Sequence, residues 1–405
     1  MKKEKKLETK EEIVKTSSTL NSNTDLGVTQ NSKETVKKEY ENLKEYSKNF
    51  TLKDLKSGLW FAKFLTYALK QYSKKVDASF FEEKYPHLPA DVIINRRISL
   101  AKKYAAIEGA LSTGAYTAVV AATITSGGTL SGVTIPAALS SFTADLLLLT
   151  EIQLQLAYDI SILYNHKIDL EDPEDLFDLI RVSFGIKAGE LLQESAAKLI
   201  PGFTRYGVTN IFKGTTLTWM KALPVVGKHL LQRNIIKFSI PVVSIPLATG
   251  LNYWITGKTS TIAKQVYRDK AAIAERANNI VESETDPYIM LKTVLMVIQA
   301  DKKTKAEEAW LINDLTKGFL SDNETETFIQ DFKNIVNINE EELLEEISNL
   351  NKQEATEIYE AACYAAAVDH NLNTAEHVCL KKIAEACRAK YNKKAIEKLA
   401  KEGLV

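Results

Sequence analysis

PAALSSFTADLLLLTEIQLQLAYDISILY, residues 136–164, is Leu-rich along its whole length and is followed by the breaker NHKIDLEDPED, residues 165–175. A continuous apolar run of this length predicts one long helix from about Pro136 to Tyr164. Three carboxylates, Asp145, Glu151 and Asp159, ride through it, which argues against a simple membrane span and for a helix inside a protein core. An acid in such surroundings must pair or shift its pKa. Asp145 and Gln153 are therefore candidate buried polar residues, with Arg96, Arg97, Lys102 or Lys103 as the expected partners of the acid.

Working outward, Asp172 before Pro173 is a good N-cap and N1 pair for a further helix through LFDLIRVSFGIKAGELLQESAAKLI. Upstream, Leu52, Leu55, Leu59, Trp60, Phe64, Tyr67 and Ala68 recur at helical spacing, and another helix begins near Ala90 after the breaker YPHLP. Between Glu108 and Asp145 lie 36 residues without a charge, rich in Ala, Thr, Ser and Gly. Buried helices suit them, and a membrane hairpin broken at SGGTLSG is the alternative, with a span near 110–144. A second uncharged window, 238–257, is flanked by lysines, carries Tyr253 and Trp254 like interfacial anchors, and should be kinked by Pro241 and Pro246.

Apolar residues make up 45% of the chain and charged ones 26%, which excludes disorder throughout; Gly and Pro are few, so the expected class is all-α. Residues 1–50 carry eleven Lys and nine acidic side chains with almost no large apolar ones, and read as a disordered charged tail. The helical domain expected at 51–281 ends in a basic stretch. From Lys198 to Arg268 there are ten Lys or Arg and no Asp or Glu, whereas 282–405 carries fifteen basic and twenty-four acidic residues. Such asymmetry bears on partners. The start MKKEKKLETKEE has no apolar stretch behind it, and Cys363, Cys379 and Cys387 form no disulfide framework, so a cytoplasmic protein is expected.

The segment IPAALSSFTADLLLLTEIQLQLAYDISILYNHKIDLEDP, with the later LPVVG and ITGKTSTIAKQVYRDKA, resembles the EcsC family of bacterial proteins. The pattern falls on Pro136, Asp145, Gln153, Tyr164 and Pro224 with Gly227; Asn165 stands where the family has glycine, and Asn also adopts the left-handed conformation. The resemblance implies a membrane-linked accessory role near transport or secretion systems, without an established activity. Farther on, VIQADKKTKAEEAWLINDL recurs as AAVDHNLNTAEHVCLKKIAEA, so that Asp301 and Glu308 repeat 68 positions later as Asp369 and Glu376. This internal repeat resembles TerB-like helical domains, and the stress-response association of that family follows as an expectation.

Those four carboxylates are candidate ligands for Ca²⁺ or Mg²⁺ if the repeats converge, and ordinary helix caps otherwise; no EF-hand loop is present. His370, His377 and Cys379 lack a fourth ligand at zinc spacing. With no nucleophile elbow, Walker loop or dinucleotide fingerprint, an enzyme is not expected. The basic stretch interleaves its charges with Leu, Ile, Phe and Trp, which suits anionic lipids rather than nucleic acid. Lys213, Lys221, Lys228, Arg233, Lys237, Trp254 and Lys258 are the candidate lipid-binding residues. The expected function is a membrane-associated bacterial accessory protein, peripheral on the inner face of the membrane, with a transport or secretion component as a candidate partner. Two alternatives stand beside it: a soluble scaffold whose acidic domain docks on the basic one, and an integral protein spanning near 110–144 and 238–257.

Overall fold

The computed structural model describes residues 30–112, 135–170, 173–185, 227, 228, 230, 245–301, 305–319 and 338–402. All regular elements among them are α-helices, so the chain is all-α. The described chain divides into two compact units, one up to Tyr267 and one from Arg268 onward.

The first unit contains α1 (Gln30–Ser47), α2 (Leu52–Ser57), α3 (Leu59–Tyr72), α4 (Ala78–Lys84), α5 (Ala90–Ser112), α6 (Ile135–Leu163), α7 (Pro173–Phe184) and the first part of α8 (Ile245–Val281). Helix α6 is the expected long helix, and α1, α3, α5 and α7 all pack on it. It is the one helix among the described residues long and apolar enough to cross a membrane, yet 78% of that apolar stretch is buried inside the protein. Leu147, Leu154 and Ile160 are fully covered. Each contributes about 2 kcal/mol of burial.

Helix α1 corrects the expected disordered tail over residues 30–47. Its lysines and glutamates hide a stripe of Val36, Tyr40 and Leu43, spaced four and three residues apart, which is buried against the core. Helix α7 ends at Phe184, with Gly185 at a φ of 62°, so the expected continuation as one helix through Ile200 stops there among the described residues. Pro246 lies within α8, next to the first described residue of that helix. Asp172, Pro224, Pro241 and the whole of 113–134 lie outside the described residues.

The second unit takes the end of α8, then α9 (Pro287–Ile298), α10 (Ala306–Phe319), α11 (Glu340–Ser348), α12 (Lys352–Ala367), α13 (Thr374–Ala386) and α14 (Lys393–Glu402). Helix α9 is apolar except at Lys292 and Thr293 and is buried from Thr293 to Ile298, with α10, α11, α12 and α13 around it. The division comes ahead of the expected residue 282 because the last turns of α8 pack into this second core. Ile273 and Ala277 are fully buried there, Lys270 lies over Trp310 at 5.0 Å and Arg276 over Tyr364 at 5.6 Å.

Candidate functional site

Three polar constellations stand out, and the first lies inside the first unit. Asp159 of α6 is fully buried and meets Arg97 of α5 at 2.5 Å and the Tyr72 hydroxyl of α3 at 2.7 Å, while Arg97 also donates to Tyr72 at 2.9 Å. Burial works against the guanidinium charge, but Asp159 outweighs it and holds Arg97 protonated. Burial likewise raises the Asp159 carboxyl, against the pull of Arg97 and Tyr72. Arg97, one of the cations expected for the acids of this helix, thus pairs with Asp159. Asp145 and Gln153 are buried as expected.

Beside this network is a cavity of about 470 Å³ lined by Phe81, Tyr85, His87, Ile93, Ile162 and Asn165. His87 and Asn165 both hold the left-handed conformation, at φ 63° and 57°. For Asn165 the left-handed conformation is the expected one. The chemistry of the lining is apolar with a few polar edges, which suits binding more than acid–base work.

The second constellation is on α8. Trp254, Lys258 and Ile262 follow one another at spacings of four and share a face of the helix; Trp254 is half-buried, Lys258 is exposed and Ile262 is 42% exposed. The Lys258 ammonium lies 5.9 Å from the Trp254 ring centre, and Lys102 of α5 lies 4.2 Å from that of Tyr253. The inner face of the same helix is polar, and the Asn252 amide donates to the buried Glu108 carboxylate of α5. Of the other expected lipid-binding residues, Lys228 is exposed, whereas Lys213, Lys221, Arg233 and Lys237 lie outside the described residues.

The third constellation joins the two repeats of the second unit. The Glu308 carboxylate accepts from the Lys305 backbone N–H at 2.6 Å and Glu376 from that of Asn373 at 2.8 Å, so both glutamates act as caps at their helix starts. The aspartates reach across: the Lys305 ammonium bonds Asp369, and the Asn373 side-chain amide donates to Asp301 at 3.1 Å. The four residues do converge, but through amide and ammonium donors. Among the described residues no group of three or more carboxylate, thiol or imidazole side chains is placed to hold a metal ion. His370 turns its ring to the Ala400 carbonyl and His377 to the Tyr391 hydroxyl, and burial pushes the Cys379 thiol up to about 12.

Burial, reinforced by the neighbouring carboxylates, raises Glu308 to about 8 and Glu376 to about 7. Their folded values exceed the unfolded one, so the folded state binds more protons, and stability is lost as pH rises through 7 and 8. Between about pH 6 and about pH 9 the melting temperature should fall by several degrees, and Glu308→Gln with Glu376→Gln should flatten that fall. Circular dichroism melts of the full chain measure both. With Asp369 buried and paired to the Lys305 ammonium, Asp369→Asn should destabilise the fold more than Asp301→Asn, and millimolar Ca²⁺ or Mg²⁺ should leave the melt unchanged.

Comparison of the chain with protein-family models, with curated proteins and with solved structures returns no match.

Proposed function

We propose that this chain is a non-enzymatic, membrane-associated bacterial accessory protein. Its basic and apolar first unit contacts the anionic inner leaflet, and its acidic second unit serves in the cytosol as an interaction or sensing module. The observation that carries this reading is the Trp254–Lys258–Ile262 stripe on α8, an aromatic ring, a cation and an exposed aliphatic side chain on one helical face. That combination matches what an interfacial helix presents to headgroups. It lies within the stretch from Lys198 to Arg268, which holds ten basic residues and no acidic one.

At about 1 kcal/mol per basic side chain near an anionic surface, a handful of these charges is enough to localise the protein. Salt should therefore release it. The expected result is co-sedimentation with anionic vesicles that is lost when Lys213, Lys221, Lys228, Arg233 and Lys258 are replaced by Gln, and weakened by Trp254→Ala. Unchanged binding by the five-fold variant sinks the reading. Protein that survives a carbonate wash of bacterial membranes favours a spanning segment instead.

A further inference from the structure

Away from these constellations, three helices of the first unit bring aromatic rings and carboxylates together. Tyr46 of α1 stacks on Tyr67 of α3, centroids 4.3 Å apart and planes 18° apart, and Phe64 lies beside both rings at 6.2 and 6.0 Å. Glu39 is two turns ahead of Tyr46 on the same face of α1. Glu151 of α6 is only 9% exposed; its Oε1 accepts from Gln155 at 2.8 Å, and its Oε2 has no partner. Glu39 and Glu151 both act electrostatically on Tyr67, and Glu39 acts on Glu151. Among the described residues no positive group contributes at Glu151.

We infer that Tyr46, Tyr67, Glu39 and Glu151 form a binding site for an organic ammonium ion. The Tyr67 ring is 37% exposed and offers a π surface to an approaching cation, which such faces attract. Glu39, and Glu151 once ionised, supply the opposite charge, and the buried oxygen of Glu151 that lacks a partner accepts from an N–H that reaches it. Aromatic faces distinguish this site from one for a hydrated metal ion, which wants oxygen ligands all round. The ammonium group belongs either to a free amine or to a lipid headgroup such as ethanolamine or choline. The site rests on residues remote in sequence from the α8 stripe and does not depend on the lipid reading.

Proton linkage gives the site a signature. Burial, with Glu39 adding to it, pushes the Glu151 carboxyl up to about 8. Among the described residues the groups that interact with it are Glu39 from α1, Tyr67 from α3 and Gln155 from its own helix. A cation prefers the ionised carboxylate, so affinity rises as pH climbs through that value.

The test is a thermal melt and calorimetric titration of the full chain with tetramethylammonium chloride and with ethanolamine hydrochloride, against NaCl at equal ionic strength. At about ten times the dissociation constant, an ammonium ion should raise the melting temperature by about 3 °C or more, with no equal rise in NaCl. Glu151→Gln and Tyr67→Leu, each confirmed folded by circular dichroism, should lose the response, and Glu39→Gln should weaken it. Binding of the free ions places the source in solution. Binding only to vesicles with ethanolamine headgroups, lost in Glu151→Gln, places it in the lipid. No response in either arm, a response equalled by sodium, or one retained in Glu151→Gln and Tyr67→Leu overturns the assignment.

Discussion

Replacing Arg97 by Leu is expected to destabilise the first unit by about 3–5 kcal/mol, because it leaves the fully buried Asp159 carboxylate without its counter-charge. The Tyr72 hydroxyl remains as a donor at 2.7 Å, but one neutral hydrogen bond does not replace an ion pair in a dry interior. Asp159→Asn should cost a similar amount, since the guanidinium is then left half-buried opposite an amide. Replacing both by Leu removes both desolvation penalties, and it should recover much of the loss. Urea titration followed by circular dichroism measures all three variants. Single variants as stable as the parent would show that the network adds nothing to the fold.

Gly227→Ala carries the second large effect. A Cβ at Gly227 would lie against the Gly58 carbonyl oxygen and within 2.8 Å of the Gly58 Cα, and backbone cannot swing aside as a side chain can. The Trp60 indole N–H donates to the Gly227 carbonyl at 3.3 Å, so any shift also disturbs a fully buried tryptophan. A loss of about 3 kcal/mol is expected, with a change in tryptophan fluorescence. Gly58→Ala should be milder, about 1 kcal/mol, because its main penalty is a left-handed φ of 78° at the junction of α2 and α3. The reverse order would mean that the chain around Gly227 yields more easily than a packed backbone contact allows.

Much of this was legible in the residues. The long helix of the opening stretch, the start near Ala90 and the two repeats of the C-terminal part are written in unbroken apolar periods, and the structure places helices there. Helix α1 was not legible by composition, because three buried apolar side chains among eighteen residues are outvoted by the charges around them. Its buried stripe was visible only to a reading of spacing. Which acid of α6 meets Arg97 was not legible, because Asp145, Glu151 and Asp159 cannot be told apart without knowing how α5 lies against α6; it is Asp159. Tyr72, Tyr46 and Glu39 gave no signal at all. Their meaning comes from partners 87 residues away in the case of Tyr72 and Asp159, and such separations leave no trace in local pattern.

The crossed contacts of the repeat have a consequence for synthesis. Lys305 waits for Asp369, 64 positions later, and Asp301 waits for Asn373, 72 positions later. Closing loops of that length precedes any reward from the contacts they enable, so these links belong to the late steps of folding. On a ribosome the first repeat emerges with Asp301 and Lys305 still unmatched. It must remain soluble until the second repeat is made, and its charged side chains serve that purpose before they serve the native turn.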